Sequence, residues 1–69
     1  MTKNSRQNKI IDIITKHEID TQEELAKMLN DSGFNVTQAT VSRDIKDLGL
    51  IKVQGNTRKH KYSVSNFKE

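Results

Sequence analysis

As far as Leu50 the apolar residues recur with the spacing of helices; beyond Gly49 they alternate like those of strands. Between about Ser5 and His17, Ile10, Ile11, Ile13 and Ile14 cover an arc of roughly 160° on a helical wheel, which implies a helix packed by two neighbours. Met1 to Asn4 are expected to be loose, and Ile19, in the link that follows, to pack down as an anchor or to bridge to the later strands.

Thr21-Gln22-Glu23-Glu24 fits a capping box, in which the Thr21 hydroxyl takes the Glu24 amide and the Glu24 carboxylate returns to the Thr21 amide. The second helix it starts carries Leu25, Ala26, Met28 and Leu29 on a similarly wide face. Gly33 can end that helix in a left-handed conformation, a Schellman end that brings Phe34 back onto Leu29 and into the core.

A third helix starts at Thr37 as N-cap, with Val36 and Val41 placed for a hydrophobic staple and Gly49 closing it so that Leu50 reaches Ile45. Its apolar stripe, Val41, Ile45 and Leu48, is only about 60° wide. Opposite lie Ala39, Arg43 and Lys46, flanked by Ser42 on one side and by Thr40 and Asp47 on the other. Thr40 stands where a capping box would place Glu or Gln, so the positive end of the helix dipole keeps no carboxylate of its own and suits an anion from a partner.

Alternation then sets Ile51 and Val53 against Lys52 and Gln54. A turn from Gly55 to Lys59 follows, and then His60 to Val64 with Tyr62 and Val64 on a common face. This is a β-hairpin with a basic tip. The fold class is therefore mainly α with a small β-hairpin (α+β): three helices and a C-terminal wing, a winged helix-turn-helix over residues 1–64. A polar tail covers residues 65–69.

Composition narrows the chemistry. With 69 residues there is one small domain, and with no cysteine there is neither a disulfide framework nor a thiolate metal site. His17 and His60 are too far apart for a metal cluster, and His17 reads as a half-exposed helix-end residue. No apolar run suits a signal peptide or a membrane span, so a soluble, cytoplasmic protein is expected. No nucleophile and base pair, paired carboxylates or phosphate loop stands out, so no enzyme is expected; Glu23, Glu24 and Asp44 read as capping and surface charge. The net charge of +3 is concentrated towards the two ends, which suits a polyanion.

In such a fold the third helix enters the major groove of DNA and the wing reaches the backbone or the minor groove. Arg43 can donate twice to guanine, Gln38 can pair with adenine or reach a phosphate, Ser42 can bond a base edge, and Ala39 is small enough to touch a thymine methyl. Thr21, Gln22, Thr37, Thr40 and Lys46 are placed for phosphates, as are Lys3 and Arg6 near the N-terminus and Arg58, Lys59 and Lys61 on the wing. A protein-binding winged helix would show an apolar or acidic third-helix face, and neither is present; an RNA-binding one would stack bases on aromatics, of which there are only Phe34, Tyr62 and Phe67, the first two assigned to the core.

The runs TQATVSRDIKDLGLIKV and TQEELAKML, and the spacing to KYSV in the wing, closely resemble the N-terminal DNA-binding domain of bacterial arginine repressors over nearly the whole chain. The resemblance implies a transcription regulator of arginine biosynthesis and catabolism genes, acting on palindromic operators. Ser42 and Arg43 are then central to operator recognition, with Gln38 and the basic residues of the wing as further contacts. Members of that family continue through a linker into a C-terminal domain that binds L-arginine and assembles hexamers, to which nothing in these residues corresponds. Residues 65–69 are accordingly expected to begin the linker, and residues 1–64 to bind no cofactor and to be monomeric or weakly self-associating.

Overall fold

The computed structural model describes residues 3–64, with side chains described from Ser5 onward. The Lys3 side chain and the linker segment 65–69 therefore lie outside the described residues. The elements are α1 (Lys3–Lys16), α2 (Gln22–Asp31), α3 (Gln38–Leu48), β1 (Ile51–Gln54) and β2 (His60–Ser63). The winged helix-turn-helix expected from the pattern is the observed fold. Helix α1 begins at Lys3 rather than Ser5, so Lys3 and Asn4 are helical and not loose.

The core is built from the faces that the periodicity marked. Ile10, Ile13 and Ile14 of α1, Leu25, Ala26 and Leu29 of α2, and Val41 and Ile45 of α3 are buried together with Ile19 and Tyr62. Met28, Phe34, Val36, Leu48 and Leu50 pack against them, partly covered. Each fully buried leucine or isoleucine contributes about 1.5–3 kcal/mol relative to an exposed one, which lets so short a chain offset its conformational entropy. Ile19 packs down as the expected anchor; it forms no β-bridge, but its carbonyl accepts the Tyr62 amide at 2.8 Å, tying β2 to the α1–α2 link.

The C-terminal ends of α2 and α3 are Schellman closures. Phe34 N–H donates to the Leu29 carbonyl at 3.0 Å with Gly33 at φ 100°, and Leu50 N–H donates to the Ile45 carbonyl at 3.0 Å with Gly49 at φ 67°. The turn between α2 and α3 is held further by Asn30. Its amide nitrogen donates to the carbonyls of Ala26 (2.9 Å) and Val36 (3.1 Å), and its amide oxygen accepts from Val36 N–H (3.1 Å). Both polar groups of Val36 are thereby fixed to the end of α2, immediately before the Thr37 cap of α3, and this sets the angle between the two helices.

The hairpin pairs Ile51 with Ser63, Lys52 with Tyr62, Val53 with Lys61 and Gln54 with His60. Residues opposite one another share a face, so Tyr62 is on the same side as Lys52, whose ammonium lies 5.1 Å from the ring centroid. Ile51 and Val53 do point one way, but it is the way opposite Tyr62, and Ile51 is 41% exposed. Val64, expected in the strand beside Tyr62, lies past its end and is exposed. The register would set Val64 against Leu50, whose amide is already committed to closing α3.

Candidate nucleic-acid interface

Helix α3 presents its polar face to solvent in an arrangement fixed at both ends. The Thr37 hydroxyl accepts the Thr40 amide at 3.3 Å, and the two threonine hydroxyls are 3.3 Å apart, so the cap is made without a carboxylate. No acid occupies the first turn. Gln38, Ala39, Arg43 and Lys46 are exposed, while Thr40 and Ser42 are half-covered. Among the described residues Arg43 and Lys46 are in no ion pair, and nor are Lys59 and Lys61 of the wing. Thr21 and Gln22 stand at the start of α2, where the Thr21 hydroxyl accepts the Glu24 amide at 3.1 Å.

Asp44 is not the surface charge that its residue type suggests. It is 1% exposed, and its carboxylate takes a bidentate grip from Arg6: Nε of Arg6 donates to Oδ2, and Nη2 to Oδ1 at 2.8 Å. Gln7 adds a donor to Oδ1 at 3.3 Å. The hydrogen bond to Asp44 raises the Arg6 guanidinium above its ordinary value. A buried carboxylate needs such a partner, because desolvating it alone would cost several kcal/mol, on the order of the whole stability of a small domain. The sequence did carry a signal. Val41, Asp44, Ile45 and Leu48 stand at i, i+3, i+4 and i+7, so Asp44 occupies a position of the core-facing stripe despite its charge.

The pair has two consequences for the interface. The only acid between Gln38 and Lys46 is turned inward, so the outward face of α3 is left without a carboxylate until Asp47. Arg6, expected at a phosphate, has its guanidinium seated on α3 from behind.

Arg58 is committed in a similar way. The Glu24 carboxylate does not return to the Thr21 amide as a capping box would have it; both of its oxygens accept from Arg58, at 2.5 and 3.0 Å, and Asp20 accepts from the same guanidinium at 3.0 Å. The hydrogen bond from Arg58 holds Glu24 below the usual carboxylate range, and the bond to Glu24, with Asp20 beside it, raises Arg58 above its own. Lys9 and Lys16 pair with Asp12 and Lys27 with Asp31 along their own helices, exposed contacts that solvent screens and that add little to stability. Among the described residues, the cations outside ion pairs are therefore concentrated on α3 and on the wing.

The comparisons with known proteins agree with this geometry. Residues 1–69 match the family model described as the arginine repressor, DNA binding domain. The chain is 63% identical over 65 residues to the arginine repressor of Clostridium botulinum strain Hall, an alignment covering 94% of this chain and 43% of that protein. It is 56% identical over 64 residues to the arginine repressor of Bacillus velezensis, covering 93% of this chain and 43% of that one. It thus spans less than half the length of these relatives. With its fold, its outward basic helix and a family match along its whole length, the chain belongs to the arginine repressor family, within that family's DNA-binding domain.

Proposed function

We propose that this chain binds double-stranded operator DNA sequence-specifically, as the DNA-binding part of an arginine-dependent transcription regulator that represses arginine biosynthesis genes and can activate catabolic ones. The observation that carries the proposal is the exposed face of α3 from Gln38 to Lys46, which holds hydrogen-bonding side chains, two cations and no outward carboxylate. In the major groove Arg43 donates to guanine, Gln38 and Ser42 bond base edges, and Ala39 lies against a thymine methyl. Thr37, Thr40 and the amides of the first turn of α3 take a phosphate, Thr21 and Gln22 at α2 take another, and Lys46 follows the backbone.

On the wing, Lys59 and Lys61 are in no ion pair among the described residues and supply charge to the backbone, whereas Arg58, 38% exposed, is engaged by Asp20 and Glu24, and Arg6 by Asp44. L-arginine acts elsewhere in the longer protein, so these residues neither bind it nor form hexamers. A protein-docking role would call for an apolar α3 face. Stacking on RNA would call for exposed rings; Tyr62 is buried in the core and Phe34 packs against it, partly covered, while Phe67 lies outside the described residues.

Titration with an arginine-operator half-site and with a scrambled duplex, at two salt concentrations and with and without L-arginine, tests the proposal. The operator is expected to bind more tightly at both salts, with no effect of L-arginine. Equal affinity for the two duplexes would refute sequence reading by these residues. Replacing Lys59 and Lys61 together by alanine is expected to weaken both duplexes alike and to shallow the slope of log affinity against log salt by about 0.9 for each phosphate that is no longer neutralised. An unchanged slope would remove the wing from the backbone.

A further inference from the structure

The loop between β1 and β2 is folded around a single carboxylate that comes from the link between α1 and α2. That carboxylate, Glu18, accepts the amides of Asn56 (2.7 Å), Thr57 (2.9 Å) and Arg58 (2.9 Å), and the Thr57 hydroxyl at 2.9 Å. Successive amides aimed at one anion form a nest, and here the anion is built into the chain. Gly55 makes room for it: a Cβ at that position would stand 2.6 Å from the Arg58 carbonyl oxygen and 2.7 Å from Glu18 Oε1. Beside the nest, the Arg58 side chain is held by Asp20 and Glu24. These donors, the Asn56 amide first among them, lower the Glu18 carboxyl to about 2. A carboxyl lowered in the folded state adds stability that is complete above its ordinary value near 4.5 and fades as pH falls towards 2, so the clamp is fully formed at neutral pH.

We infer that Glu18 is a wing-positioning residue: by filling the amide nest at the tip of the hairpin it sets where Lys59 and Lys61 lie relative to α3, and so governs the backbone contacts of the domain without touching DNA. The inference rests on the DNA-binding proposal above. Lys59 directly follows the clamped segment and Lys61 lies on the strand it leads into, so tilting the tip displaces both. The acidic character of Glu18 makes the expectation unusual in sign. Removing a negative charge from a DNA-binding protein ordinarily strengthens binding through the long-range field, whereas losing the clamp weakens it.

The test uses Glu18→Gln, which raises the net charge of +3 by one, and Glu18→Asp, which keeps the charge but shortens the reach. The control is Glu23→Gln, the same charge change at an exposed position of α2. Folding of each is checked by thermal melting, and if Glu18→Gln does not fold, Glu18→Asp carries the test.

Amide hydrogen exchange at Asn56, Thr57 and Arg58 is expected to accelerate in both Glu18 variants, and both duplexes are expected to bind severalfold more weakly with a shallower salt slope. Glu23→Gln should bind as tightly as the parent or more so. Unchanged exchange at the three amides would overturn the clamp. Faster exchange with affinity equal to or above the parent, or a loss confined to the operator, would overturn the positioning role. Failure of the parent chain to bind either duplex would instead overturn the DNA-binding proposal, and the exchange data would still decide the clamp.

Discussion

Arg43→Ala is expected to lower affinity for the operator by about 1–3 kcal/mol, to relax sequence preference, and to leave thermal stability nearly unchanged. Arg43 is exposed in the middle of the outward face of α3 and takes part in no ion pair among the described residues, so the fold loses nothing when it is truncated. What is lost is a pair of donors with the geometry of the guanine edge. Binding to operator and scrambled duplexes separates the roles: a loss confined to the operator marks base reading, and an equal loss on both would reduce Arg43 to a phosphate contact.

Arg6→Ala should have the largest effect on stability, and a larger one than Asp44→Ala. The two side chains form one pair, but they are unequally covered, 23% exposed for Arg6 and 1% for Asp44. When Arg6 is truncated, the buried carboxylate keeps its other contacts, the 3.3 Å hydrogen bond from Gln7 among them, but loses its bidentate, charged partner. Breaking a buried pair in this way costs about 3–5 kcal/mol, a large share of the stability of a small domain. When Asp44 is truncated, Arg6 can turn its head to water and only the packing and the hydrogen bonds are lost. The double variant should cost less than the sum of the single ones, with a coupling of about 0.5–3 kcal/mol. Additive melts would show that the two do not act as a pair. Because Arg6 faces inward, the salt slope for DNA should stay where it is in any Arg6 variant that folds.

Most of the scaffold was legible because local chemistry specified it. The Thr21 and Thr37 caps, the glycines closing α2 and α3, and the isoleucine and leucine faces are each set within a turn or two of sequence, and each is found. What escaped reading is what depends on partners far along the chain. Arg6 and Asp44 are joined by the packing of α1 on α3, and Glu18 meets Asn56, Thr57 and Arg58 only because β2 docks on the Ile19 carbonyl.

A basic residue on a wing reads as unpaired charge until its acidic neighbours are in view, and Arg58 sits among Asp20 and Glu24. Asn30 was silent for a related reason, since an asparagine near a helix end gives no hint that it will bond both polar groups of Val36. The outward face of α3 was legible throughout, because its residues answer to solvent and partner and not to the rest of the fold.

Backbone amide shifts of the chain, followed as an operator duplex and then a scrambled duplex are added, test the central claim most directly. With the operator, the largest changes are expected from Gln38 to Lys46 and at Lys59 and Lys61, and the scrambled duplex is expected to leave the Arg43 and Ser42 amides far less affected. Changes centred on the exposed faces of α1, with α3 unmoved by the operator, would contradict the assignment of α3 as the reading helix.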